Sequence, residues 1–195
     1  FGGERPIFYP MPMATPLNLL VPTHNYPRYA GDHAGVFISL LMKHLLPHGF
    51  RPIVLAPHDP GAAEREEIDG VLIYRFRYAD RDEDEDVAYR GNMQQLVLGS
   101  VSGIFKFKRF LDRWRAAAFD VIAREQIDLI AGQWLVPAGI VLKPIASRKD
   151  IPIVLSSHGT DIRMMRKYAG VTYRYFKPFC HRLRQWTFVS SYLRD

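Results

Sequence analysis

The chain has 195 residues, 48% of them hydrophobic and 24% charged, with a net charge of +6; this make-up excludes a disordered, fibrous or collagen-like chain. No apolar run approaches the roughly 18 residues of a membrane-spanning helix, and the single cysteine, Cys180, excludes an intrachain disulfide and points to a reducing compartment. Charge is unevenly divided: residues 1–86 carry 8 Lys/Arg against 13 Asp/Glu, and residues 87–195 carry 18 against 7. The second half therefore suits an anionic partner, whether nucleic acid, anionic lipid or a phosphorylated sugar donor.

Residues 1–16 lack the basic, apolar and small-residue regions of a secretory signal and are expected to form an extended leader. Residues 17–195 are expected to form one domain. "LNLLV" (17–21) reads as a buried strand ending at Pro22, followed by the polar loop "THNYPRYAGDHAG". "VFISLLMKHLL" then places Phe37, Leu41 and Leu45 four apart, with Lys43 and His44 facing away, which predicts a helix closed by Pro47 and Gly49. "PIVLA" (52–56) and "GVLIYRFRY" (70–78) are the next two strands, and "DRDEDED" (80–86) reads as a solvated loop. The interval 87–108 suggests a loose helix around "NMQQLVL" and a turn at Ser102–Gly103. From 109 onward Phe110, Trp114, Ala117, Ala118, Val121 and Ile122 hold helical spacing. A fourth strand (127–132), a short helix broken by Pro144, a fifth strand (151–157), a basic aromatic helical region (162–185) and a last strand, "WTFVS", complete the pattern. Alternation of this kind predicts an α/β fold, a Rossmann-like three-layer sandwich with a mostly parallel sheet.

Such sheets bind ligands outside the carboxyl ends of their strands, which singles out three loops. In "YAGDHAG", Gly31 and Gly35 bracket Asp32 and His33 before the first helix; glycines let a ligand approach the backbone, and a helix start suits a phosphate. The alternative is a turn at Gly31 with Asp32 capping the helix. In "AGQWLVPAG", Gln133 offers a donor and an acceptor and Trp134 a flat apolar face, a pair suited to a sugar. A tryptophan packed beneath the helix at Pro137 is the competing reading. In "SSHGTD", Gly159 leaves room beside His158, and Thr160 or Asp161 can cap the next helix. No second His, Cys or Glu stands at metal-ligand spacing, and no G-x-S-x-G elbow accompanies the histidine.

Taken together, these stretches resemble the N-terminal domain of the family-four glycosyltransferases of GT-B fold. The likeness runs through "PTHNYPRYAGDHAG", "GVFISLLMKHLLPHGFRPIVLAP", "IDLIAGQWLVPAGIVLKPIASRKDIPIVLSSHGTDI" and "WTFVSSYLRD", which cover residues 17–195. The resemblance implies half of a two-domain GT-B enzyme: a retaining transferase that moves a sugar from a nucleotide-sugar to a glycan or lipid-linked acceptor, without a metal ion or any cofactor beyond that co-substrate. It implies a donor-binding role for Gly31, Asp32, His33 and Gly35 and places His158 against the transferred sugar as the catalytic contact. His24, Gln133, Trp134, Gly159, Thr160 and Asp161 are the expected acceptor side. Two departures stand out: Gly-Asp-His-Ala-Gly replaces the adjacent glycines of many members, and Gln133 stands where a histidine is common. A nucleotide-binding C-terminal domain with paired glutamates is expected in the intact enzyme, so the chain alone is expected to be inactive, in the cytoplasm or peripheral on the inner face of the membrane.

Two basic segments leave other readings open. "FKFKRFLDRWR" (105–115) mixes aromatics with Lys/Arg and suits an anionic membrane surface; its alternative is aromatics packed on the sheet with solvated charges. "MMRKYAGVTYRYFKPFCHRLRQW" (164–186) has a composition that also suits single-stranded nucleic acid, but no nucleic-acid fold pattern accompanies it. A non-catalytic module for an anionic partner is thus the alternative function. The missing G-x-G-x-x-G disfavours an oxidoreductase.

Overall fold

In a computed structural model, which describes residues 15–90 and 93–194, seven strands form one sheet. They are β1 (Leu17–Pro22), β2 (Phe50–Pro57), β3 (Arg65–Ile68), β4 (Val71–Phe76), β5 (Leu129–Gln133), β6 (Ile153–Ser157) and β7 (Gln185–Phe188), in the order β3-β4-β2-β1-β5-β6-β7. All pairings are parallel except β3 with β4. The chain winds outward from β1 through β2 to β4, then returns to β5 on the other side of β1 and winds the opposite way. The direction therefore reverses between β1 and β5, and the crevice that follows from such a reversal opens beyond their carboxyl ends. The expected α/β class and mostly parallel sheet are those observed. The expected leader lies outside the described residues except for Thr15 and Pro16.

Seven α-helices accompany the sheet among the described residues: α1 (Val36–Leu45), α2 (Met93–Gly99), α3 (Val101–Glu125), α4 (Ile140–Arg148), α5 (Thr160–Lys167), α6 (Ala169–Cys180) and α7 (Ser191–Arg194). Side chains alternate across the central strands with period two. Leu20, Ile53 and Leu55 join Phe110, Trp114, Val141 and Phe179 on the face covered by α3, α4 and α6. Leu19, Val21, Val54 and Ala56 join Ile38 and Met42 of α1 on the opposite face. Both faces are buried, which is why these strands are almost uniformly apolar.

Several elements differ from expectation. β3 is an antiparallel edge strand in which three of four residues are charged; backbone pairing with β4 forms it, and no apolar pattern announces it. On α1 the buried row is Ile38 and Met42, whereas Phe37 is 45% exposed and Leu41 lies with it at the surface. Both rows have the same four-residue spacing, so spacing alone does not say which one meets the sheet. The α3 helix begins eight residues before 109, with Ser100 at its N-cap accepting from the Gly103 N–H at 3.0 Å, so Ser102 and Gly103 lie inside the helix rather than in a turn. Pro144 does not break α4, where buried Val141, Leu142 and Ile145 compensate for the one backbone bond it cannot make. The basic region expected over 162–185 is split at Tyr168 into α5 and α6. Within "DRDEDED", Glu85 is fully buried: it bonds His58 Nδ1 at 2.5 Å and accepts from the Tyr78 N–H at 3.1 Å. Cys180 packs partly buried against the core, and burial pushes its thiol up.

Candidate functional site

β1, β5 and β6 end side by side, and each delivers an aromatic or imidazole ring to one point. His24 follows β1, Trp134 follows β5 and His158 follows β6. The Trp134 ring centroid lies 4.5 Å from that of His24 and 4.3 Å from that of His158. Phe37, in the first turn of α1, lies 5.8 Å from Trp134 and 5.0 Å from His158. Trp134 is thus the core of a wall of four rings, only 8% exposed, and its backbone sits at φ +64°. That region is strained for a residue with a bulky side chain, and such strain persists only where surroundings hold it.

What holds it is Asp161. Its carboxylate accepts from the Leu135 N–H at 2.8 Å and from the N–H groups of His158, Gly159 and Ile162 at 3.0 to 3.2 Å. One buried side chain thereby ties the turn after β5 to the loop after β6. Gly159 holds the N-cap position of α5, at φ +102°, so the helix has no capping side chain there; Asp161, inside the first turn, takes the Ile162 N–H instead. The two serines before His158 also have structural duties: Ser157 Oγ accepts from the Trp186 indole N–H at 3.0 Å, and Ser156 bonds Thr187 at 2.6 Å, both joining β6 to β7.

Gln133 is buried and does not point to an open ligand face. Its amide N donates to the Ala131 carbonyl at 3.4 Å, which turns Oε1 toward His158 Nε2 at 2.9 Å. His158 then carries its proton on Nε2, leaving Nδ1 as an acceptor. Burial lowers the pKa of His158, with Asp161 opposing that shift. His24 is pushed further down, to about 4, by burial, against the pull of Asp161 and with a contribution from His158. Its Nδ1 is buried without a hydrogen-bond partner. Two neutral imidazoles therefore flank the indole at neutral pH, able to meet sugar hydroxyls without bringing charge.

The loop after β1 is braced by charge. Arg28 bonds Asp32 at 2.7 Å and Asp59 at 3.0 Å, and Asp32 also accepts from the N–H groups of Arg28 and Ala34. The Arg28 guanidinium holds the Asp32 carboxyl well below the usual carboxylate range. Asp32 does not cap α1: Gly35 is the N-cap, in the left-handed region, and no side chain bonds the helix start. A Cβ on Gly35 would lie 2.2 Å from the Asn25 carbonyl oxygen, so only glycine fits there. Gly31 is also left-handed, while His33 is exposed.

Next to this wall lies a cleft of about 690 Å³. Of the expected residues, His24, Thr160 and Asp161 line it; Gly31, Asp32, His33, Gly35, Gln133, Trp134, His158 and Gly159 do not. The rest of the lining includes Asn25, Arg28, Met93, Val97, Phe107 and Met164. Sequence reasoning missed these, because α2, α3 and α5 converge only in three dimensions. It also missed Phe37, whose placement two residues after a helix-starting glycine was the available signal. A second cluster, His58 with Asp82 and Glu85, brings its ligand atoms within 4.8 Å of one another. Its imidazole is already engaged on both sides, by Glu85 and by the Ala62 carbonyl at 3.0 Å. No helix among the described residues is long and apolar enough to cross a membrane.

No curated protein matches the chain. Among solved structures, a sucrose-phosphate synthase from Thermosynechococcus elongatus is similar at a TM-score of 0.49 and 11% identity, over 92% of this chain and 91% of that one. The family model described as Glycosyltransferase Family 4 matches residues 34–195, from the loop before α1 through both remaining ring-bearing strand ends. The chain belongs to glycosyltransferase family 4, and its activity class is glycosyl transfer.

Proposed function

We propose that this chain is the acceptor-holding half of a retaining glycosyltransferase that takes a sugar from a nucleotide-sugar. The observation that carries this reading is Phe37: it belongs to the first turn of α1 and its ring lies 5.0 Å from His158. A helix start that no side chain caps thus lies close to the His158 imidazole. Uncapped N–H groups at the positive end of a helix suit a diphosphate. When the glycosidic bond breaks, the electron pair goes to the diphosphate, and charge grows where those N–H groups point. Gly31 and Gly35 let the loop fold close to that group. Asp32 serves the loop as the partner of Arg28, and His33 remains at its surface.

On this reading His158 contacts the transferred sugar, oriented by Gln133, and His24 faces the acceptor hydroxyl from the cleft. The reaction needs positioning and charge stabilisation rather than a metal ion, and the donor nucleotide is held mainly by a further domain of the intact enzyme. In the natural full-length protein, His158→Ala is expected to lower turnover by about 10²-fold while shifting the melting temperature little, and EDTA is expected to leave turnover unchanged. Wild-type turnover in the His158→Ala variant would remove His158 from the reaction centre.

A further inference from the structure

The cleft beside His24 has a lining that is unexpected for a pure sugar site. Its strand-end side offers polar groups, His24, Asn25 and Thr160, whereas α2, α3, α5 and the turn after β5 contribute mostly apolar side chains, Met93, Val97, Phe107, Val136 and Met164, with Gln94 of α2 among them. Two further polar groups of the lining are already committed. Arg28 is held by Asp32 and Asp59, and Asp161 by four backbone N–H groups. A sugar ring placed among the methionines and valines would have hydroxyls without partners, which is costly.

The apolar lining also continues past the cleft. Val101 and Ile104 precede Phe107 on α3 at three-residue intervals, so the three side chains share one face of the helix. Val101 is 70% exposed, Ile104 54% and the neighbouring Phe105 67%. Met164 of α5 and Tyr168, just after it, line the cleft, while Arg163, Arg166 and Lys167 stand exposed on α5 and Arg174 and Lys177 on α6. The chain has no Asp or Glu between Asp161 and Asp195, and among the described residues none of these five cations is ion-paired. Elsewhere most cations are: Lys106, Lys108, Arg109 and Arg115 of α3 each have a carboxylate partner. A largely apolar cleft that begins at a polar strand end, lined by a helix that also carries exposed Val101, Ile104 and Phe105 and by another that carries unpaired cations, matches an amphiphile lying in an anionic lipid surface.

We propose that the acceptor is lipid-linked: its hydroxyl-bearing head meets His24 and Thr160, its hydrocarbon chain lies along Val97, Phe107 and Met164, and the cations of α5 and α6 meet the anionic head groups around it. This inference rests on the acceptor-holding role given above. The test compares octyl β-glucoside, kept below its micelle concentration, with methyl β-glucoside, by amide shifts of the ¹⁵N-labelled chain. Octyl glucoside should bind at least about tenfold tighter, since burying a few methylenes suffices for that factor, with shifts at Val97, Phe107 and Met164. Met164→Glu should remove the difference. Ile104→Asp, at an exposed position that leaves folding intact, should reduce it. Vesicles of dioleoylphosphatidylglycerol should sediment the chain at low salt, those of dioleoylphosphatidylcholine should not, and Arg166→Glu with Lys167→Glu should abolish the difference. Equal affinity for the two glucosides, or equal sedimentation with the two lipids, overturns the proposal. In the natural full-length protein, equal turnover with both glucosides overturns the lipid-linked acceptor and leaves glycosyl transfer standing. Absence of nucleoside diphosphate release from any nucleotide-sugar, with either acceptor, overturns the transfer reading beneath it.

Discussion

The two histidine-bearing loops reach the same tryptophan by different means. The loop from Thr23 to Gly35 is long and is held from several sides: Arg28 bridges Asp32 and Asp59, Thr23 Oγ1 bonds the Asn25 carbonyl at 3.0 Å, and Gly35 closes against that same carbonyl. The loop from Ser157 to Asp161 is short and is held by one carboxylate that accepts four N–H groups. Redundant bracing tolerates the loss of one member, whereas a single clamp does not. The difference also separates the two rings. His24 keeps one buried nitrogen without a partner, whereas His158 is oriented by a neighbour, and both residues are half-buried.

This contrast can be broken or sharpened by substitution. Asp161→Ala should be the most damaging change, costing about 3 kcal/mol or more because several N–H groups lose their acceptor together. Urea denaturation would show it, and a loss comparable to that of Asp32→Ala would refute the single-clamp description. Gly35→Ala should cost about 2 kcal/mol, since φ +60° and the Asn25 carbonyl both oppose a side chain. Gln133→Leu should leave stability nearly unchanged but lower turnover about tenfold in the full-length protein, by freeing the His158 ring to adopt the other tautomer. A turnover unaffected by Gln133→Leu would show that the 2.9 Å contact does not orient the imidazole. Arg28→Ala, one brace among several, should cost about 1 kcal/mol.

A pH dependence tests the His24 side of the comparison. The pKa of His24 falls from 6.5 in the unfolded chain to about 4 in the folded one. Between these values the unfolded state binds more protons, so stability rises with pH across this window and is lost as pH falls from about 6.5 to about 4. His158, whose pKa is also lowered, acts in the same direction. Melting temperatures of wild type and His24→Gln should diverge less at pH 4.5 than at pH 7.5. An unchanged gap would mean that His24 is not buried neutral.

The legible parts of this molecule are those that local pattern determines. Strands buried on both faces, such as "LNLLV" and "PIVLA", show themselves by composition, and the alternation of strands and helices implies the parallel sheet. The cluster "SSHGTD" stands out because small polar residues interrupt an apolar strand. What spacing cannot convey is which of two apolar rows on α1 meets the sheet, and so Phe37 reads as core when it is a wall of the site. In the sequence Gln133 suits a sugar by its chemistry, and Asp161 reads as a cap of the following helix. Their actual partners, His158 and Leu135, are 25 and 26 residues away in sequence and become neighbours only when β5 pairs with β6. Glu85 is hidden in the same way: a run of acids reads as solvated until His58 is folded against one of them.

The central claim is that the ends of β1 and β6 form one ligand site around Trp134. The most direct test is a long-range ¹⁵N–¹H spectrum of the histidine side chains, recorded while octyl β-glucoside and a series of UDP-, GDP- and ADP-sugars are added. The rings of His24 and His158 are expected to shift together, with one apparent affinity for a given ligand, while those of His44, His48, His58 and His181 stay fixed. Shifts confined to one of the two rings, or separate affinities for each, would contradict a shared site.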